Sequence, residues 1–139
     1  MNETLIELVW ERAHGRCEYC QLPQVFTTCD FEIDHIIAKK HRGRTAASNL
    51  ALTCFFCNSA KGPNIAGLDP RTQKITPLFH PRRHKWNRHF RWDGPVLVGM
   101  TAIGRATIAV LNINEAQAVA TRAALIQTGV FGPERFRPD

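Results

Sequence analysis

The sequence predicts an α+β fold: a small strand, loop, strand, helix core (a ββα unit) held between two CxxC pairs, with an N-terminal helix before it and a C-terminal helical extension after it. Three observations predict it. Cys17/Cys20 and Cys54/Cys57 are separated by 33 residues, room for an inserted hairpin. The insert runs from a β-branched and aromatic stretch through a polar, glycine-containing loop to an alternating stretch. Residues 101–128 carry helical periodicity.

Taken in order, "ETLIELVWERA" at 3–13 places Leu5, Ile6, Val9 and Ala13 on one stripe, opens with an acid suited to the positive helix end and stops at Gly15. This first helix delivers the chain to Cys17. Residues 26–37 read as a strand and "NLALT" at 49–53 as its partner, with Gly43 and the polar run "GRTAAS" between them as a wide loop. "CFFCNSAKG" reads as a short helix ended by Gly62 and Pro63.

Residues 63–95 hold five of the eight prolines and no clear periodicity, yet include Phe79, Trp86, Phe90 and Trp92; they read as an irregular but ordered wrap, because disordered segments usually lack such aromatics. These tryptophans and phenylalanines are expected as core anchors rather than as platforms for unpaired bases. "VLVGM" reads as a strand, after which Thr101 caps one helix and Asn114 a second, "EAQAVATRAALIQT", ended by Gly129. At 139 residues the chain is expected to be one domain: a motif core at 12–62, the basic wrap at 63–95 and scaffold helices at 96–139.

Charge points to the partner. Seven of the twelve acids lie in residues 1–34, whereas residues 35–92 hold twelve Lys or Arg against Asp69 alone. A polyanion suits that stretch. An interfacial membrane helix would need a continuous apolar face, which Pro77 and Pro81 interrupt, so nucleic acid is expected and a membrane is not. The start of the chain lacks the basic and apolar regions of a secretory leader, which predicts a soluble, cytoplasmic protein.

Paired CxxC motifs in such a setting read as structural zinc held by Cys17, Cys20, Cys54 and Cys57. A thioredoxin-like redox pair would occur once, at a helix start in a βαβ context. Four cysteines leave no open coordination position, so this zinc folds the protein and does no chemistry. Cys29, outside both pairs, reads as a buried small hydrophobe.

Between the pairs lie Asp34 and His35. A carboxylate binds a hard cation such as Mg²⁺, and a neutral imidazole takes a proton from water near pH 7. Neighbours on a regular strand point to opposite faces, so both serve one cleft only where the strand ends or bends. Asn58, directly after Cys57, offers a second oxygen ligand, and Asn49 is placed to brace the loop and orient His35.

The combination CxxC, "DHI", "NL", "CxxCN" and "KG" resembles the HNH endonuclease family in its zinc-containing form, over about residues 12–62. The resemblance implies a ββα-metal (His-Me finger) core and hydrolysis of a phosphodiester. It implies His35 as general base, Asn49 as the central Asn, and Asp34 with Asn58 as holders of one catalytic Mg²⁺ or Mn²⁺. Asn58 stands where many members carry a final His, as in H-N-N variants, and an amide oxygen favours those hard cations over softer ones.

Lys39, Lys40, Arg42 and Arg44 beside the proposed base, with Lys61, Arg82 and Arg83, are the expected nucleic-acid contacts, double-stranded DNA being the expected substrate; His80 is an accessory candidate. The competing reading is a zinc-stabilised nucleic-acid-binding module that keeps the ββα shape and does not cut.

Overall fold

A computed structural model of the chain describes residues 1–26 and 30–131. Cys29, expected as a buried hydrophobe, lies outside the described residues. Two compact units are present: Met1–Ile65 with His80–Arg83, and Ala66–Phe79 with the chain from His84 onward.

The first unit begins with α1 (Glu3–Arg12), whose start is capped by the Asn2 side chain accepting from Leu5 N at 2.8 Å. After the first CxxC, a short 3₁₀ turn (Gln24–Phe26) leads to β1 (Phe31–His35), which pairs antiparallel with β2 (Leu50–Cys54) in the register Phe31 to Cys54 and His35 to Leu50. The strand thus begins later than the expected residue 26, since the chain at Pro23 bridges back to Arg16 before it extends. α2 (Phe55–Lys61) follows β2 without a linker and ends at Gly62, whose φ is +50°. This is the ββα unit that the sequence predicts.

Alternation along β1 sends Phe31 and Ile33 to one face, where they join Leu5, Val9, Trp10 and Ala13 of the first helix and its end, and Leu50 and Leu52 of β2. Glu32 and Asp34 take the other face. β2 is buried throughout, so it is the central element of this small core.

The second unit contains β3 (Ala66–Leu68) paired with β4 (Ile75–Pro77), the helical turn α3 (Trp86–His89), β5 (Phe90–Asp93) paired with β6 (Val96–Gly99), then α4 (Ala102–Val110) and α5 (Ala116–Gln127). Residues 63–95 are therefore more regular than their sequence suggests, because strands of three or four residues are too short to display a period. Phe79, Trp86 and Phe90 are buried and their rings pack together, Phe79 against Phe90 at 5.2 Å and Trp86 against Phe90 at 5.1 Å, as core anchors. Trp92 is half-buried between Trp86 and Phe131, with the Arg122 guanidinium over its ring.

Thr101 caps α4 as expected, accepting from Gly104 N at 3.1 Å. The cap of α5 is Glu115 rather than Asn114, its carboxylate accepting from Ala118 N at 2.6 Å. Asn114 is engaged elsewhere: its amide accepts from Leu97 N and donates to Leu97 O, taking up backbone groups that β6 leaves unpaired on that side. Among the described residues no helix is long and apolar enough to cross a membrane.

Candidate active site and metal centre

The two CxxC turns converge. The first is a loop closed by Cys17 N donating to Leu22 O at 3.0 Å and Gln21 N donating to Cys17 O at 2.8 Å. In the second, Cys54 ends β2 and caps α2, its sulfur accepting from Cys57 N at 3.4 Å. The four sulfurs are buried, unbridged and within 4.8 Å of one another. A tetrahedral ion with Zn–S bonds of about 2.3 Å has S···S edges of about 3.8 Å. Cys20 Sγ and Cys54 Sγ are 3.8 Å apart.

The proton chemistry of these thiols also calls for a cation. Contact with Cys17 and then with Cys54 pushes the Cys20 thiol well up, contact with Cys17 and then Cys20 does the same to Cys57, and Cys54 is pulled far down as acceptor from the other three. Sulfurs this close do not ionise together unless a positive charge sits among them. The residues are placed to bind a metal ion, and the donor set is that of structural zinc.

Glu18, inside the first knuckle, ties it to the hairpin. Its backbone N donates to Leu52 O, and its carboxylate accepts from Leu52 N, each at 2.9 Å. The same carboxylate pairs with Arg82, and Arg12 donates to Ala47 O and Leu50 O at 2.8 and 2.7 Å. Arg82, expected to grip nucleic acid, is thus committed to an internal ion pair.

His35 closes β1. Its Nε2 lies 2.8 Å from Thr45 Oγ1 in the following loop. Partial burial and then the positive charge of Lys39 hold its pKa below the usual imidazole range, with Asp34 opposing and Lys61 adding to the depression. The loop itself is built on Asn49, which accepts from Ile37 N at 2.9 Å and donates to Ile37 O at 3.0 Å and to Arg44 O at 2.9 Å. Gly43 must be glycine here, because a Cβ would stand 1.6 Å from Ile37 O and 2.9 Å from Asn49 Nδ2. Asn49 acts on the loop backbone, and its own carbonyl accepts from Ile36 N at 2.8 Å. Its influence on His35 is through the chain on either side of the ring, with no bond to the ring itself among the described residues.

Asp34 is largely buried, and its Oδ2 lies 2.9 Å from Lys61 Nζ. Burial pushes the carboxyl pKa up, against the pull of the Lys61 ammonium. Lys61 also donates to His35 O at 3.3 Å, and at 1% exposure it is an interior residue. Its expected role as a surface phosphate contact is corrected: the long stem runs inside, between α2 and β1, where a buried carboxylate takes its charge. Asn58, one turn earlier on α2, donates from Nδ2 to Glu32 Oε2 at 2.6 Å.

The other expected contacts divide. Lys39, Lys40, Arg42 and Arg44 are exposed beside His35, and Arg83 is exposed. His80 is buried, with Nδ1 accepting from Arg82 N at 3.2 Å, so it shapes a turn. Sequence reasoning missed Glu32 and Thr45. The period of β1 offered a signal for Glu32, two residues before Asp34 and so on its face; nothing marked Thr45 within its polar loop.

Residues 17–64 match the model of the HNH endonuclease family, a segment that begins at the first zinc-type cysteine and ends just after α2. No curated protein and no solved structure matches the chain.

Proposed function

We propose that the HNH-matching core is a metal-dependent endonuclease that hydrolyses phosphodiester bonds in nucleic acid, with double-stranded DNA as the expected substrate. The observation that carries this reading is His35: a ring fixed by Thr45, biased toward its neutral form, beside a buried carboxylate and an exposed loop of Lys39, Lys40, Arg42 and Arg44.

Asp34 and Asn58 are suited to a hard cation. The carboxylate is buried with one ammonium for company and an upward-shifted pKa, so its charge is incompletely compensated. The Asn58 amide gives its nitrogen to Glu32, and its carbonyl oxygen has no partner among the described residues. A Mg²⁺ or Mn²⁺ ion bound by these oxygens would supply Lewis-acid neutralisation of charge at the phosphate and at the departing oxygen.

The chain's own residues do the rest. With Nε2 held toward Thr45, His35 accepts a water proton at Nδ1, and the hydroxide attacks phosphorus in line. The P–O3′ bond breaks, and the 3′ oxygen leaves and takes a proton from solvent. Asn49 and Gly43 keep the loop in the shape that fixes this ring, and the exposed basic loop holds the backbone, giving grip that depends on charge and not on base identity.

The test is nicking of supercoiled plasmid by zinc-loaded protein given Mg²⁺, Mn²⁺ or Ni²⁺, alongside H35A. Conversion to open-circular DNA by the wild type and loss of that conversion in H35A is the expected result. Plasmid binding without cleavage in any metal would instead identify a non-catalytic module.

A further inference from the structure

Two pairs of side chains face each other across β1 and α2. Glu32 and Asp34 are two residues apart on the strand and share a face, while Asn58 and Lys61 are three apart on the helix and share a face. The pairs meet rung by rung: Asn58 Nδ2 donates to Glu32 Oε2 at 2.6 Å, and Lys61 Nζ stands 2.9 Å from Asp34 Oδ2. Each residue proposed to offer an oxygen to the catalytic cation therefore has a partner on the opposite element, Asp34 through its carboxylate and Asn58 through its amide nitrogen.

For Asn58 the partner decides which end of the side chain is on offer. An amide carries a donor and an acceptor of nearly the same shape, and either end can face a given neighbour. An ionised carboxylate only accepts, so opposite Glu32 the amide must present its nitrogen. Its carbonyl oxygen is then the remaining end. A metal-bound imidazole is oriented in a comparable way, through the partner of its second ring nitrogen.

We propose that Glu32 is a positioning residue that locks the Asn58 amide with Oδ1 presented as the cation ligand. The proposal rests on the reading of Asp34 and Asn58 as holders of the catalytic metal. It supplies a reason why Asn can serve at a position where many HNH sequences carry His: here the ligand's orientation is set by a carboxylate two residues upstream of Asp34. In sequence terms, an acid at that position and Asn at position 58 form one unit.

The test is Mn²⁺ affinity of zinc-loaded protein, read by calorimetry and by the Mn²⁺ paramagnetic resonance signal, with zinc content checked for each variant. E32A is expected to weaken Mn²⁺ binding about tenfold. In an N58A background, where there is no amide to turn, E32A should change affinity by no more than about twofold. E32Q, whose amide can donate as well as accept, no longer dictates which end of Asn58 faces it and should weaken binding nearly as much as E32A.

An equal loss from E32A in both backgrounds would reduce Glu32 to a charge effect and overturn the proposal, as would wild-type affinity in E32Q or in E32A. D34A separates the two levels. If D34A loses Mn²⁺ and E32A does not, only the role of Glu32 fails; if D34A keeps wild-type affinity, the metal site itself is misplaced and both readings fail.

Discussion

Lys61 Nζ lies 2.9 Å from Asp34 Oδ2, and the lysine is 1% exposed. The last residue of α2 thereby fastens the helix to the end of β1, and its second bond, to His35 O, fixes the backbone of the proposed base. A buried ammonium beside a carboxylate it partly compensates makes the pair a structural element as well as a feature of the site.

Breaking that pair from one side leaves a buried charge alone. K61M should cost about 3 kcal/mol or more of stability. Adding D34N to K61M should return much of that loss. Urea unfolding of the zinc-loaded single and double variants measures both, and a K61M protein as stable as wild type would show that the pair is not formed.

The zinc-type centre should control folding of the first unit. C54S removes a ligand and the sulfur that caps α2. It should abolish stoichiometric zinc and most of the far-ultraviolet helical signal of that unit, as should a strong chelator on the wild type, with zinc content read by atomic absorption.

The pH dependence of the proposed cleavage follows from His35 as its proposed base. Its pKa is held below the usual imidazole value of about 6.5, first by partial burial and then by Lys39. The base works when neutral, so the rate should rise with pH through an inflection below that value and be level at pH 7. K39M removes a cation that favours the neutral ring and should move the inflection upward. T45V, which deletes the hydroxyl that holds Nε2, should lower the plateau without changing zinc content.

Gly43 gives a test of loop shape apart from chemistry. G43A forces a Cβ into Ile37 O and disturbs the loop that Asn49 binds. Zinc content should be unchanged, and nicking should fall about a hundredfold, the scale expected for an ångström of misplacement.

The second unit should be acid-sensitive through Asp69. This buried carboxylate takes Arg105 Nε and Nη2 at 2.9 and 2.8 Å, with further bonds from Arg71 N and Thr72 Oγ1. The Arg105 bonds hold its pKa well below the ordinary carboxylate range, with the Arg71 and Thr72 bonds adding to them and burial opposing. Since the folded value lies below the unfolded one, the stabilisation is complete above about pH 4 and is lost as pH falls through the folded value. Acid unfolding followed by tryptophan fluorescence should therefore steepen below about pH 4. D69N should be less stable at neutral pH and respond less to acid.

The sequence by itself determined the zinc-type centre and the ββα unit. Two CxxC turns impose ligand geometry within four residues each, and the residue types of β1 and β2 and the glycine after α2 are local signals that survive any packing. It also determined that Asn49 braces the loop, since the amide stands at the loop's end with free backbone groups within reach.

Tertiary structure alone decided the partners of the charged side chains. Lys61 reads in sequence like any cation of a basic chain, and only the packing of α2 on β1, across 26 residues, puts it inside against Asp34 and turns Asn58 to Glu32. Arg82 reads like its neighbour Arg83, yet the return of His80–Arg83 to the first unit delivers it to Glu18, 64 residues away, while Arg83 stays exposed. A charge announces what it can pair with but not which partner folding brings within 3 Å, and that choice separates the cations committed to internal ion pairs from those that stay exposed.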